Sequence, residues 1–137
     1  MSHITKVQSK IKNFIHLKQA LDDLNIQYVE ATAENQLTVN AWNNEKMEND
    51  ILMEIKTGSS YNIGVVLDKE TNSYEFVADW WGVESFADIK QDELLNKITQ
   101  RYAYNEVIDK VKEKGYELVT EEVDEKQNIR VVVRKWQ

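Results

Sequence analysis

Short segments in which apolar and polar residues alternate recur along much of the chain, and they constrain its fold more than any other feature. The clearest runs from Tyr61 to Leu67, where every second residue is large and apolar. Alternation with a period of two is typical of a β-strand. Turn residues at 57–60 and 68–72 flank this segment, and a further strand is predicted at 73–79. This pattern predicts antiparallel hairpins.

Two other stretches have helical spacing. Asn13 can cap a short helix that ends near Asn25. A longer helix runs from about Asp92 to Lys114, and Gly115 is placed to terminate it. The predicted order is strand, helix, four strands, long helix and two strands. It indicates an α+β protein with a mostly antiparallel, twisted sheet of about six to seven strands and one short and one long helix packed on one face.

The composition narrows the classes of function. Cysteine is absent, which excludes thiolate metal sites, iron–sulfur clusters and cysteine nucleophiles and suits a reducing cytoplasm. The two histidines, His3 and His16, offer no ligand spacing, so we predict neither a metal site nor a cofactor. The formal charge of −7 repels phosphate backbones and argues against nucleic-acid binding. No apolar run approaches the ~20 residues that a membrane helix requires.

Enzyme motifs are missing as well. The four glycines lie far apart, so no glycine-rich loop can cradle a phosphate. Acidic pairs such as Asp92-Glu93 lie on predicted helix surfaces, turns and hairpin rims and not in apolar sequence, where a general acid would need to be. We therefore predict that the protein is not an enzyme. With no repeat or low-complexity tract to divide it, residues 1–137 are expected to form a single α+β domain.

The long helix carries a polar pair within its apolar stripe. At about 100° per residue, Arg101 and Asn105 share a side of the helix with Ile98. A buried charge is unfavourable unless it is paired. One interpretation is structural: Arg101 pairs with a strand carboxylate, Asp79 or Glu75, and fixes the helix on the sheet.

The second interpretation is that this helix lines a cleft for an anionic, nucleotide-like small molecule. Planar guanidinium and aromatic groups suit phosphate or nucleotide recognition. The candidate ligand-binding residues are Arg101, Gln100, Asn105, Tyr102, Tyr104 and Asp79, with Trp80 as a further wall.

Three tryptophans are candidate partner-binding residues. Trp80 and Trp81 are neighbours on a segment predicted to be extended, so one should point into the core and the other outward. Trp42 lies in a polar loop, as an interface anchor or as a lid over the core. Exposed tryptophans often anchor protein partners. These residues favour a non-catalytic accessory or interaction protein that binds a protein partner, and homo-oligomerisation through a sheet edge is compatible with it.

Several segments together resemble one known family. They are Met1-Ser2-His3 with Ile11-Lys12, the strand Tyr74–Trp80, the helical segment Ile98–Asn105 and the closing strand Arg130–Trp136. The family is that of hypothetical chloroplast reading frame thirty-five, a domain of unknown function found in plastids, cyanobacteria and other bacteria. The resemblance implies a cytoplasmic protein, stromal in plastid relatives, and an accessory role beside ATPase or ferredoxin-like systems. It implies no reaction and no catalytic residue.

Overall fold

The computed structural model describes residues 3–125 and 128–135 of the chain. Within these ranges three α-helices and nine strands form. In chain order they are β1 (Ile4–Gln8), α1 (Phe14–Asp23), β2 (Tyr28–Glu30), β3 (Val39–Asn40), β4 (Lys46–Met47), β5 (Met53–Ile55), β6 (Ile63–Asp68), β7 (Ser73–Asp79), α2 (Trp80–Phe86), α3 (Gln91–Glu113), β8 (Tyr116–Val123) and β9 (Ile129–Lys135). A 3₁₀ turn, Trp42–Asn44, separates β3 from β4.

Five of the strands form the central sheet, in the order β1-β7-β6-β5-β2, and every neighbouring pair is antiparallel. The predicted α+β class and antiparallel sheet are confirmed, although the central sheet has five strands where about six to seven were predicted. The remaining strands form two separate pairs, β3–β4 and β8–β9, among the described residues. β3 lies over one face of the central sheet and not at its edge, and the side chain of Asn62 holds it there. Its Oδ1 accepts from the Asn40 N–H at 2.9 Å, and its Nδ2 donates to the Thr38 carbonyl at 2.7 Å.

Helices α1 and α3 pack on one face of the central sheet, as predicted, and this layer holds the larger core. Its buried side chains are Ile11, Leu17, Ala20, Leu21, Met53, Ile55, Ile63, Val65, Phe76, Ala78, Trp80, Val83, Ile98 and Tyr102. The opposite face is covered by the segment that contains β3 and β4. There the buried side chains are Leu37, Val39, Ile51, Val66 and Val77. The central strands are therefore apolar on both faces, which explains the unbroken burial of 63–66 in β6.

The helix ends follow the sequence signals. The Asn13 side chain accepts from the His16 N–H at 3.0 Å and caps α1. α3 has acidic residues in its first turn and basic residues in its last, which complement the helix dipole. Gly115 follows α3 with a φ of +86°, the left-handed conformation that glycine adopts most readily.

The segment that starts at Trp80 is helical, and the prediction of an extended conformation there is wrong. The Asp79 carboxylate accepts from the Gly82 N–H at 3.2 Å and begins α2 as its N-cap. A step of about 100° around the helix separates neighbouring residues. It places Trp80 in the core and Trp81 at the surface, so the two tryptophans diverge as predicted, through a different backbone conformation.

We expect Gly64→Ala to destabilise the protein. A Cβ at Gly64 would lie 2.6 Å from Cγ2 of Val39, because the second layer crosses β6 there. Overpacking of this kind lowers the free energy of unfolding by about 1–3 kcal/mol. Urea denaturation measures the loss. In a Val39→Ala background the obstacle is gone, so the same substitution should then be better tolerated; an equal loss in both backgrounds would contradict the close approach.

Candidate functional site

Four aromatic side chains from three separate segments meet at the surface. We call Trp42, Tyr61, Trp81 and Phe86 the aromatic patch. The ring centroids of Trp42 and Trp81 are 5.8 Å apart, as are those of Trp81 and Phe86, and both pairs meet edge to face. Phe86 stacks on Tyr61 at 5.4 Å with an interplanar angle of 8°. Trp42, Trp81 and Phe86 are 50%, 48% and 61% exposed, although contiguous apolar groups of this size are usually buried.

Asp79 lies beneath the patch and connects two of its segments. The carboxylate is fully buried. Oδ2 accepts from the Trp42 N–H at 2.8 Å, and Oδ1 accepts from the Gly82 N–H in the first turn of α2. No lysine, arginine or histidine of the described residues forms an ion pair with it. The carboxylate therefore fixes the Trp42 turn against the helix that carries Trp81 and Phe86.

The Trp42 turn has an unusual backbone that presents the indole outward. Asn43 and Asn44 have φ values of 62° and 60°, and asparagine tolerates this left-handed region better than most residues. The Ala41 N–H donates to the Glu45 carbonyl at 2.8 Å and closes the turn. Between this turn and Tyr61 lies an open cleft of about 420 Å³.

Tyr61 reaches the patch because of a glycine in α2. The Tyr61 N–H donates to the Ser59 hydroxyl at 3.1 Å, so the turn before β6 orients Tyr61. A Cβ on Gly82 would lie 2.2 Å from Cδ1 of Tyr61. Only the absence of a side chain at Gly82 lets the Tyr61 ring rest on the helix and stack on Phe86.

The predicted ligand site on α3 is occupied by internal partners. Arg101 donates from Nε to Asp23 at 3.0 Å and from Nη1 to Glu121 at 3.4 Å, and its guanidinium lies 4.4 Å from the ring centroid of Tyr104. Tyr104 donates to Glu121 at 2.6 Å, and Asn105 donates to Asp23 at 3.1 Å. This cluster joins α1, α3 and β8. The predicted pairing of Arg101 with Asp79 or Glu75 is wrong, since the carboxylates come from other elements.

The other candidate ligand residues are separated. Tyr102 is buried, and its hydroxyl accepts from the Lys12 and Asn13 N–H groups at 3.1 and 3.0 Å, holding the start of α1. Asp79 belongs to the aromatic patch, as described above. Gln100 makes no hydrogen bond within the described ranges that would add it to the Arg101 cluster. Arg101 is only partly buried because Tyr102, one residue later, takes the central position on the inward side of α3.

Of the predicted partner-binding residues, Trp42 and Trp81 lie in the aromatic patch, whereas Trp80 packs in the core. The sequence interpretation missed Tyr61 and Phe86. An Asp79 cap would have placed Phe86 on the same short helix as Trp81. No local signal connects Tyr61 with that helix, because their contact depends on the tertiary fold.

Two further properties concern the described residues as a whole. They include no group of three or more histidine, cysteine, aspartate or glutamate side chains that could hold a metal ion. None of their helices has both the length and the apolar character needed to cross a membrane.

The fold and the patch define an α+β protein with an antiparallel sheet and an exposed aromatic surface. Residues 20–132 match the family model described as "Protein of unknown function (DUF1257)", and the chain belongs to this family. Over 99% of its length the chain is similar to uncharacterized protein ycf35 of Cyanophora paradoxa (37% identical), Guillardia theta (33%) and Pyropia yezoensis (31%), and each alignment covers 98% of the relative. The family resemblance predicted from the sequence is confirmed. No solved structure matches the chain at a significant level.

Asp79→Ala should remove both the helix cap and the anchor of Trp42. Two N–H groups would lose their acceptor, so we expect the free energy of unfolding to fall by about 2–4 kcal/mol. Asn13→Ala removes a solvent-exposed cap and is the matched control, with an expected loss of about 1 kcal/mol. Urea denaturation compares the two variants, and equal losses would contradict the role assigned to the buried carboxylate.

The contacts in the Arg101 cluster predict that Tyr104 ionises at a higher pH than a free tyrosine. Burial, the hydrogen bond to Glu121 and the charge of that carboxylate raise the pKa of Tyr104 from 10.0 to about 12. The folded state therefore holds this proton more tightly than the unfolded chain. The resulting stability is complete below pH 10 and is lost as the pH rises through 12.

The measurement is the ultraviolet absorbance of tyrosinate after a rapid pH jump, which reads ionisation before unfolding. Tyr104→Phe should remove the contribution of one tyrosine to the absorbance change at about pH 12, whereas Tyr116→Phe should leave that change in place. If wild-type protein and Tyr104→Phe differ only near pH 10, the pKa of Tyr104 is not raised.

Proposed function

We propose that this protein is a non-catalytic accessory protein that binds a protein partner through the aromatic patch. The observation that carries the proposal is the exposure of Trp42, Trp81 and Phe86 in one contiguous surface. Burying a large apolar side chain in an interface contributes about 1.5–3 kcal/mol. Three such groups left beside one another in water do not stabilise the monomer. Burying all three in an interface would contribute favourable free energy to binding.

The construction of the patch supports this role. Aromatic residues are enriched among the residues that dominate binding energies. Trp42 is fixed through its backbone by Asp79, and Trp81 and Phe86 are fixed on the helix that the same carboxylate caps. Since these rings also contact one another, little side-chain entropy remains to be lost on binding.

The chemistry of the partner follows from charge. The chain has a formal charge of −7, and the Asp79 carboxylate beneath the patch has no cationic partner among the described residues. The faces of tryptophan and tyrosine rings attract lysine and arginine side chains. We therefore propose a partner whose contact surface is basic. Its membership of an ATPase or ferredoxin-like system stays a prediction, as does a cytoplasmic location.

The alternative, an anionic and nucleotide-like ligand, also stays a prediction and has less support. Such a ligand would have to displace Asp23 and Glu121 from Arg101, and both carboxylates are held in place by further bonds from Asn105 and Tyr104. The aromatic patch requires no displacement of this kind.

The test is affinity capture from a native lysate, followed by reconstitution with the purified partner. The double variant Trp42→Ala/Trp81→Ala should bind that partner at least about thirtyfold more weakly, since one such anchor commonly contributes about 2 kcal/mol. Ile15→Ala is the matched control, because Ile15 is an exposed apolar residue on α1, outside the patch. Binding by wild type and control but not by the double variant supports the proposal.

Two outcomes would reject this function. One is a partner that the double variant binds as tightly as the wild type does. The other is a wild-type protein that captures no stoichiometric partner. Circular dichroism and urea denaturation establish that the double variant is folded. The tryptophans are exposed, so their replacement should leave the free energy of unfolding within about 1 kcal/mol of the wild type.

A further inference from the structure

The C-terminal hairpin of β8 and β9 is incompletely covered. None of its described side chains is buried, and Val123 is 54% exposed. Among the described residues its two strands pair only with each other, so backbone groups on both outer edges lack a neighbouring strand. A two-stranded hairpin alone is marginally stable in water. The contacts of Glu121 with α3 support β8, and β9 is the outer strand.

The two strands carry opposite charges. β8 contains Glu117, Glu121 and Glu122 and no basic residue, whereas β9 contains three cations and no acid. The hairpin register sets Glu117 opposite Arg134 and Glu122 opposite Arg130. Opposite charges in such cross-strand positions stabilise the pairing. Arg134 donates from Nε to Glu117, but its side chain is 73% exposed and can also meet a second carboxylate. Each outer edge therefore carries one sign of charge.

This distribution of charge determines which kind of strand can pair with the free edge of β9. If β9 paired with β9 of a second copy, antiparallel and centred on Val132, Arg130 of each copy would face Arg134 of the other. Like charges in directly opposed positions are destabilising. The same argument applies to the carboxylates of β8, so the edges of the hairpin disfavour symmetric self-association.

The side chains of β9 also determine where a third strand beside it would need apolar residues. The register pairs Val131 with Glu121 and Val133 with Leu118. Glu121 contacts Arg101 and Tyr104, so this side of the hairpin faces α3. Val131 and Val133 are only half-buried there. A third strand beside β9 would cover them if its residues on that side were apolar, and its outward residues would lie next to Arg130 and Arg134.

We propose that the outer edge of β9 binds an extended acidic segment of a partner protein as a third strand. The segment alternates carboxylates, which face Arg130 and Arg134, with apolar residues, which pack beside Val131 and Val133. Backbone hydrogen bonds supply affinity, and the alternating side chains supply specificity. This surface is distinct from the aromatic patch and does not depend on it.

The probe is a synthetic peptide about as long as β9 that alternates glutamate and valine; its counterpart has lysine in place of glutamate. Hydrogen exchange of the intact protein is measured with each peptide. The glutamate peptide should slow exchange in β9, and the lysine peptide should not. The variant Trp42→Ala/Trp81→Ala should give the same result as the wild type, which separates this site from the proposed function of the patch.

Charge reversal provides the specific test. Arg130→Glu/Arg134→Glu should weaken binding of the glutamate peptide by about tenfold or more. Because those substitutions also disturb the internal pairs, a second variant adds Glu117→Lys/Glu122→Lys and restores them in reversed order. This exchanged hairpin should be as stable as the wild type and should bind the lysine peptide instead.

Three results obtained with the peptides would overturn the proposal. They are equal protection of β9 by both peptides, protection only at β1 or β2 on the edges of the central sheet, and no protection at the highest soluble concentration of the glutamate peptide. Protection of β9 that rises with protein concentration in the absence of peptide would also overturn it, since a second copy would then cover the edge.

Discussion

The buried carboxylate of Asp79 accepts two backbone hydrogen bonds and thereby positions the segments that carry the exposed aromatic residues. Asp79 ends β7, begins α2 and accepts from the turn at Trp42, a residue 37 positions earlier in the chain. A carboxylate that leaves water must find hydrogen-bond donors in the interior. These two donors come from different segments, so satisfying the carboxylate also brings the segments together. The arrangement of exposed aromatic rings is a consequence of that requirement.

The sequence predicted well those elements whose signals are local. β6 was evident from the alternation of Ile63, Val65 and Leu67, and α3 from its acidic first turn and the glycine that follows it. Asn13 caps α1 as its position suggested. Each of these signals acts within a few residues, where steric and hydrogen-bonding preferences are strongest.

The prediction failed where distant parts of the chain decide the outcome. Glycine disfavours a helix by intrinsic propensity. Gly82 nevertheless lies in α2, at a position where a side chain would clash with the Tyr61 ring. Arg101 pairs with Asp23 and Glu121, which are 78 and 20 positions away, and no periodicity within α3 could identify them. A shift of one residue in the inward side of that helix, from Arg101 to Tyr102, was enough to misplace the cluster. Trp42 and Trp81 were recognisable as candidates from their type, but their contact was not.

The order of strands in the central sheet has a consequence for synthesis of the chain. β1 pairs only with β7 among the described strands, with Ile4 opposite Asp79. β1 is synthesised before its partner β7, so during translation it stays unpaired until β7 has also left the ribosome. β6 and β7 are joined by a short turn and can pair as soon as both are free, since closing a short loop restricts the chain least. β1 can then add to the preformed β6–β7 hairpin, so we expect pairing of the central sheet to begin at its centre.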